Sequence, residues 1–71
     1  MFTKQSKDFG VLAVDNSGKA VKVFEGSNQF RYINVGAPVK EARWNGDTII
    51  VQLESGKIRK YTDYGIFTHV N

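Results

Sequence analysis

Cationic and aromatic residues stand side by side in three short segments of this chain. These segments are Arg31–Tyr32, Arg43–Trp44 and Arg59–Lys60–Tyr61. Aromatic rings stack on nucleic-acid bases while cations follow the phosphates, so this combination is typical of single-stranded nucleic-acid binding. The three arginines could share one sheet face if the strands pair in a suitable register. We therefore predict a partner-binding surface made of Arg31, Tyr32, Arg43, Arg59 and Tyr61.

A structural interpretation competes with this one and is favoured. In a strand, successive side chains point to opposite faces, so alternation alone places rings in the core and charges in solvent. A domain this small needs its aromatic residues for packing. On this interpretation the core contains Phe24, Phe30, Trp44 and Tyr61, and the cations form a solvated face.

Acid–base and metal chemistry have little support in the sequence. His69 is the only histidine, cysteine is absent, and the spacing provides His69 with neither a nucleophile nor an orienting acid. Asp15 and Asp47 stand in turn sequences, where their side chains are expected to bond neighbouring backbone N–H groups. We predict that the chain is not an enzyme and holds no metal or cofactor.

The elements that position these residues are predicted to be seven antiparallel strands. Glycines recur every 8 to 10 residues, as hairpin turns require, and the apolar residues between them alternate with a period of two. No window has helical spacing, and residues 1–8 are polar, loose and unlike a signal peptide. The predicted strands cover residues 9–15, 19–25, 29–35, 39–44, 47–53, 57–62 and 66–70.

An internal repeat is visible in the single β domain predicted over residues 9–71. Residues 11–34 resemble residues 49–71, most clearly where Ser17-Gly18-Lys19 matches Ser55-Gly56-Lys57. A period near 40 residues that carries four strands indicates propeller blades. Adjacent hairpins with similar turns would also look alike, so duplication is one of two explanations.

Residues 39–63 resemble one blade of a WD40-type β-propeller. An aromatic residue, Trp44, ends the first strand, the turn Asn45-Gly46 leads to an apolar strand, and Ser55-Gly56-Lys57 leads to a third. The third strand ends in Tyr61-Thr62 or Tyr61-Asp63, where the family has Trp-Asp, and the family's Gly-His pair is missing. The resemblance implies four-stranded blades. Because the chain holds barely two, several copies would have to form a ring.

Composition limits the remaining choices. The chain has 71 residues, a formal net charge of +3 and no disulfide, so an unstapled domain of this size must pack efficiently, bind a partner or oligomerise. The lack of cysteine fits a reducing compartment, and we expect a cytoplasmic protein without a membrane span. We predict an all-β meander, either blade-like or a small SH3-like barrel or sandwich. Its function would be binding or assembly through a sheet face or edge, as a homo-oligomer. The alternative is a nucleic-acid-binding β-barrel with a basic and aromatic face.

Overall fold

The computed structural model describes Phe2 and residues 4–70, which form a short helix followed by seven antiparallel strands. The elements are α1 (Lys4–Phe9), β1 (Leu12–Val14), β2 (Ala20–Phe24), β3 (Phe30–Asn34), β4 (Val39–Asn45), β5 (Thr48–Leu53), β6 (Ile58–Asp63) and β7 (Ile66–His69). The predicted all-β meander is confirmed, and each predicted strand has its counterpart.

The strands form two sheets, each a simple meander. The first sheet has the order β1-β2-β3 and the second has the order β4-β5-β6-β7. β1 contacts β4, and the backbone N–H of Val39 donates to the Gly18 carbonyl across 2.7 Å, so the two sheets meet there. The described strands therefore make two open sheets, not one hydrogen-bonded barrel.

Alternation along the strands builds one continuous core. In β5 the predicted inward set is confirmed: Ile49, Val51 and Leu53 are buried, whereas the residues between them are half-buried on the other face. The first sheet contributes in the same way. The buried apolar residues are Phe2, Val21, Val23, Ile33, Val35, Val39, Ile49, Val51, Leu53 and Tyr61.

Turn chemistry explains where the strands reverse. The Asp15 carboxylate accepts a hydrogen bond from the Ser17 hydroxyl at 3.0 Å and from its backbone N–H at 3.4 Å, as expected of a turn aspartate. Asp47 does not behave this way. Its carboxylate instead accepts a hydrogen bond from the Lys7 ammonium at 2.8 Å.

The N-terminal segment differs from the sequence prediction because it contains a helix. α1 is only six residues long, and isolated helices of this length are unstable in water. Tertiary contacts supply what local propensity lacks: Ser6 is buried, and the neighbouring Phe2 ring meets Trp44 and Tyr64 edge-on at 5.4 and 4.9 Å. These contacts depend on residues far along the chain, so local periodicity does not reveal them.

Candidate binding surface on the first sheet

Strand register places an aromatic group on the outer face of the first sheet, the face opposite the core. Lys22 pairs with Tyr32, and Phe24 pairs with Phe30. Directly opposed residues in an antiparallel sheet project to the same side, so these four side chains share one face. From α1, the ring of Phe9 stacks on that of Phe24. We call this group the aromatic face: Phe9, Lys22, Phe24, Phe30 and Tyr32.

The four rings form an unbroken row with a cation above it. Centroid distances are 6.2 Å from Phe9 to Phe24, 6.1 Å from Phe24 to Phe30 and 5.4 Å from Phe30 to Tyr32. The Lys22 ammonium lies 4.5 Å from the Phe30 centroid, and 5.8 and 5.7 Å from those of its two neighbours. These distances are within cation–π range, so the ammonium is held over the rings.

The aromatic face is open to solvent. Phe9, Phe30 and Tyr32 are 41%, 45% and 46% exposed. The prediction that Phe24 and Phe30 belong to the core is therefore wrong. Val21 and Val23 occupy the inward positions of β2, so Phe24 must point the other way, and Phe30 follows it across the strand pair.

Strand β3 also presents an unpaired backbone edge. The Glu25 N–H donates to the Gln29 carbonyl and the Val35 N–H donates to the Lys19 carbonyl. Hydrogen-bonded pairs alternate along an antiparallel ladder, so Arg31 and Ile33 also bond to β2. The N–H and C=O groups of Phe30, Tyr32 and Asn34 point away from the sheet. Among the described residues no element pairs with this edge of β3.

Of the predicted binding residues, only Tyr32 lies on the aromatic face. Arg31 lies on the inner side of the first sheet, opposite Val23, with its guanidinium 4.1 Å from the ring centroid of Tyr64. Burial raises the pKa of the Tyr64 phenol, and the neighbouring Arg31 opposes that rise. Arg43 is exposed on the outer face of the second sheet, opposite Ile50.

Arg59 and Tyr61 make contacts within the folded protein. Tyr61 is 1% exposed, in agreement with its predicted place in the core. Nη1 of Arg59 donates to the Val35 carbonyl at 2.9 Å and to the Tyr61 hydroxyl at 3.3 Å, and its guanidinium covers the Phe67 ring at 4.5 Å. The three arginines therefore do not share a face, because they lie on two sheets and on opposite sides.

Sequence reasoning missed Lys22 and Phe9 as members of the surface. A signal for Lys22 was present, since it stands between two valines and must point away from them. For Phe9 no local signal exists, because it reaches Phe24 only through α1. The exposed apolar side chains Ile66 and Val70 lie on the second sheet, on and just after β7.

Other chemistry-bearing groups are dispersed. The described part of the chain contains no cluster of three or more His, Cys, Asp or Glu side chains that could bind a metal ion. His69 is exposed on β7, where its ring meets Phe67 edge-on at 5.5 Å. Within residues 4–70 no helix is long and apolar enough to cross a membrane.

A groove of about 600 Å³ lies between α1 and the second sheet. Phe2 and Trp44 supply its apolar lining, and its charged lining consists of two lysines and two aspartates, Lys4, Lys7, Asp8 and Asp47. The opposite charges balance, and the Lys7–Asp47 ion pair occupies part of this lining at 2.8 Å. The groove thus shows no preference for the charge of a ligand, unlike the aromatic face, which has a defined chemistry.

Comparison with known proteins identifies no relative of this chain. No protein-family model, curated protein or solved structure matches the chain.

Proposed function

We propose that this protein is a non-enzymatic binding module that takes an extended polypeptide segment on the free edge of β3 and the adjoining aromatic face. One observation carries the proposal: Phe30 and Tyr32 contribute both unpaired backbone groups and exposed rings. An incoming strand would hydrogen-bond to the backbone at this edge, while pockets between the rings would select its side chains. This is the β-augmentation mode of peptide recognition.

The exposed area explains why face and edge would act together. An aromatic side chain offers about 150–250 Å², so three rings that are nearly half exposed present about 200–300 Å². Stable protein interfaces bury about 800 Å² on each partner. The rings alone would therefore hold a partner weakly, and the main-chain hydrogen bonds of β3 supply the additional contact.

The charge distribution favours a polypeptide over a nucleic acid. Binding to single-stranded nucleic acid needs several cations along the path of the phosphates. The aromatic face has Lys22 as its cation, whereas Arg31, Arg43 and Arg59 project elsewhere. Depletion of charged residues around exposed aromatic rings is instead typical of protein interface centres.

Selection from a random peptide library on the purified protein tests the proposal. We expect enrichment of extended sequences with apolar residues at alternate positions. The affinity of these peptides should fall tenfold or more in the double variant Phe30→Ser/Tyr32→Ser. This variant removes two exposed rings and leaves the core unchanged. Amide chemical-shift changes on peptide addition should concentrate at Phe30, Tyr32 and Asn34.

The double variant Ile66→Ser/Val70→Ser is the matched control, since it removes two side chains that are 60% and 56% exposed on and just after β7. It should bind the selected peptides like the wild type. Peptides that lose affinity only in this control would contradict the proposal, as would a library that yields no binder to a protein that is monomeric in solution. Tight, salt-sensitive binding of an oligonucleotide instead of peptides would establish the nucleic-acid alternative.

We also propose a cytoplasmic location, which is supported by the sequence alone. The chain contains no cysteine and so no disulfide, and disulfides are rare where thiols are kept reduced. Immunodetection of a tagged protein in fractionated cells would test this location.

A further inference from the structure

We infer that the polypeptide segment taken by β3 is β3 of a second copy, which gives a two-fold symmetric dimer with a continuous six-stranded sheet. This inference rests on the proposed function and names its partner. It follows from the arrangement of the outward-pointing groups along the strand.

These groups are symmetric about Tyr32. Phe30, Tyr32 and Asn34 each direct an N–H and a C=O outward, two residues apart, with Tyr32 at the centre. A two-fold axis through Tyr32 brings a second β3 alongside in antiparallel orientation. Each outward donor then meets an outward acceptor. Tyr32 lies opposite Tyr32 of the other copy, and Phe30 lies opposite Asn34, which gives six new backbone hydrogen bonds.

The side chains agree with this register. On the outer face, the two Tyr32 rings lie opposite each other as a cross-strand aromatic pair, a favourable combination in sheets. On the inner face, Arg31 of one copy lies opposite Ile33 of the other, so the two arginines are not juxtaposed. Both aromatic faces lie on the same side of the joined sheet and form one continuous surface.

The edge of the second sheet at β7 is less suited to the same role. The Val70 N–H donates to the Ile58 carbonyl, and bonding to β6 alternates from residue to residue along β7. Phe67 and His69 are therefore the only residues of β7 that direct backbone groups outward. The ladder next to β7 is also interrupted by a register shift between Tyr61 and Asp63. β3 has neither a proline nor a bulge, two of the devices that protect an edge from pairing, and its one charged residue, Arg31, covers the Tyr64 ring at 4.1 Å.

Cysteine cross-linking tests both the dimer and its register, because the chain has no cysteine of its own. In the variant Tyr32→Cys the two thiols meet at the axis, where opposed Cα atoms are about 5.5 Å apart and a disulfide can form. We expect mild oxidation to give a cross-linked dimer. Phe30→Cys alone should stay monomeric on denaturing gels, because its symmetry mate lies about four residues away, or about 14 Å.

A mixed sample keeps the test decisive if Tyr32→Cys weakens the dimer. Phe30→Cys mixed with Asn34→Cys should cross-link, whereas each variant alone should not, since these two positions are opposed only between copies. Light scattering on the wild type should give twice the 8.0 kDa chain mass at high concentration.

The outcomes separate this inference from the proposed function. A wild-type monomer at all concentrations overturns the dimer, while peptide binding at β3 would still support the proposed function. Efficient cross-linking of Thr68→Cys, which occupies the centre of the β7 edge, without cross-linking of Tyr32→Cys would place the interface at β7 and overturn the inference. A wild-type protein that neither binds peptides nor forms a dimer would contradict both proposals.

Discussion

At the scale of single residues, burial separates the aromatic side chains into two groups. Tyr61 is enclosed, and its ring lies against Phe67 at 5.0 Å, whereas Trp44 packs on the core with part of its surface exposed. Phe24 and Phe30 face outward and contribute little to the core. The cost of removing a ring should follow this division.

Tyr61→Ala should therefore lower the free energy of unfolding more than Trp44→Ala does. A fully buried aromatic side chain replaced by alanine costs about 3–5 kcal/mol, and the loss is smaller where part of the ring was already exposed. Urea unfolding gives the two free energies. Phe30→Ala is the control, with an expected cost below about 1.5 kcal/mol. Equal losses for Tyr61 and Trp44 would contradict this ranking of the aromatic residues.

At the scale of elements, hairpin turns depend on glycine at some positions and not at others. Gly46, between β4 and β5, has φ of 63°, in the left-handed region that side chains with a Cβ disfavour. Gly65, between β6 and β7, is not among the positive-φ glycines. A Cβ would meet no atom within 4 Å at either position, so backbone conformation alone distinguishes them.

Gly46→Ala should destabilise the protein by about 1–2 kcal/mol, the cost of the left-handed conformation. Gly65→Ala, the matched control, should change stability by less than about 0.5 kcal/mol in the same denaturation assay. A larger loss at Gly65 than at Gly46 would show that turn conformation does not govern these hairpins.

The second sheet has the strand order that the propeller-blade resemblance implies, four antiparallel strands in sequence. The first sheet has three. The internal repeat stays a prediction, and so does assembly of several copies into a ring. A two-fold dimer through β3 would be a different assembly, since it closes with two chains.

At the scale of the whole molecule, α1 ties the two sheets together. Phe9 stacks on Phe24 of the first sheet, and the Lys7 ammonium bonds the Asp47 carboxylate in the second. The hydrogen bond to Lys7 lowers the pKa of Asp47 below its usual value of 3.8. In turn, the hydrogen bond to Asp47 raises the pKa of Lys7 above 10.5.

These shifts predict how docking of α1 depends on pH. The Asp47 contribution is present above the ordinary carboxyl pKa and is lost as pH falls through the lowered value. The Lys7 contribution is present below 10.5 and is lost as pH rises through the raised value. Cα chemical shifts of Lys4–Phe9 should therefore report a constant helix population between these limits and a decrease at both.

Asp47→Asn should lower the helix population near neutral pH and remove its acid dependence. Lys4→Met is the control, because it removes a neighbouring charge but leaves the ion pair. Both side chains of the pair are exposed, so high salt should have the same direction of effect as the Asp47 variant. An unchanged helix in Asp47→Asn would show that the packing contacts of α1, and not this ion pair, hold it in place.

The strands, their turns and the inward set of β5 could be predicted from the sequence, because each depends on residues a few positions apart. Alternation with a period of two and glycine at turns are local properties. Tyr61 is predicted both as a core residue and as a binding residue, and its 1% exposure agrees with its place in the core. Tyr32, predicted from the sequence as a binding residue, is 46% exposed, and its binding role stays a prediction.

Tertiary structure decided the rest. The physical reason is that successive side chains in a strand point to opposite faces of the sheet. A shift of one residue moves a side chain to the opposite face. Alternation about Val21 and Val23 directs Phe24 outward beside Lys22, whereas the outward direction of Phe30 depends on its register opposite Phe24. The separation of Arg31, Arg43 and Arg59 depends on their division between two sheets. The formation of α1 and the free edge of β3 depend on what packs against them, which residues distant in sequence determine.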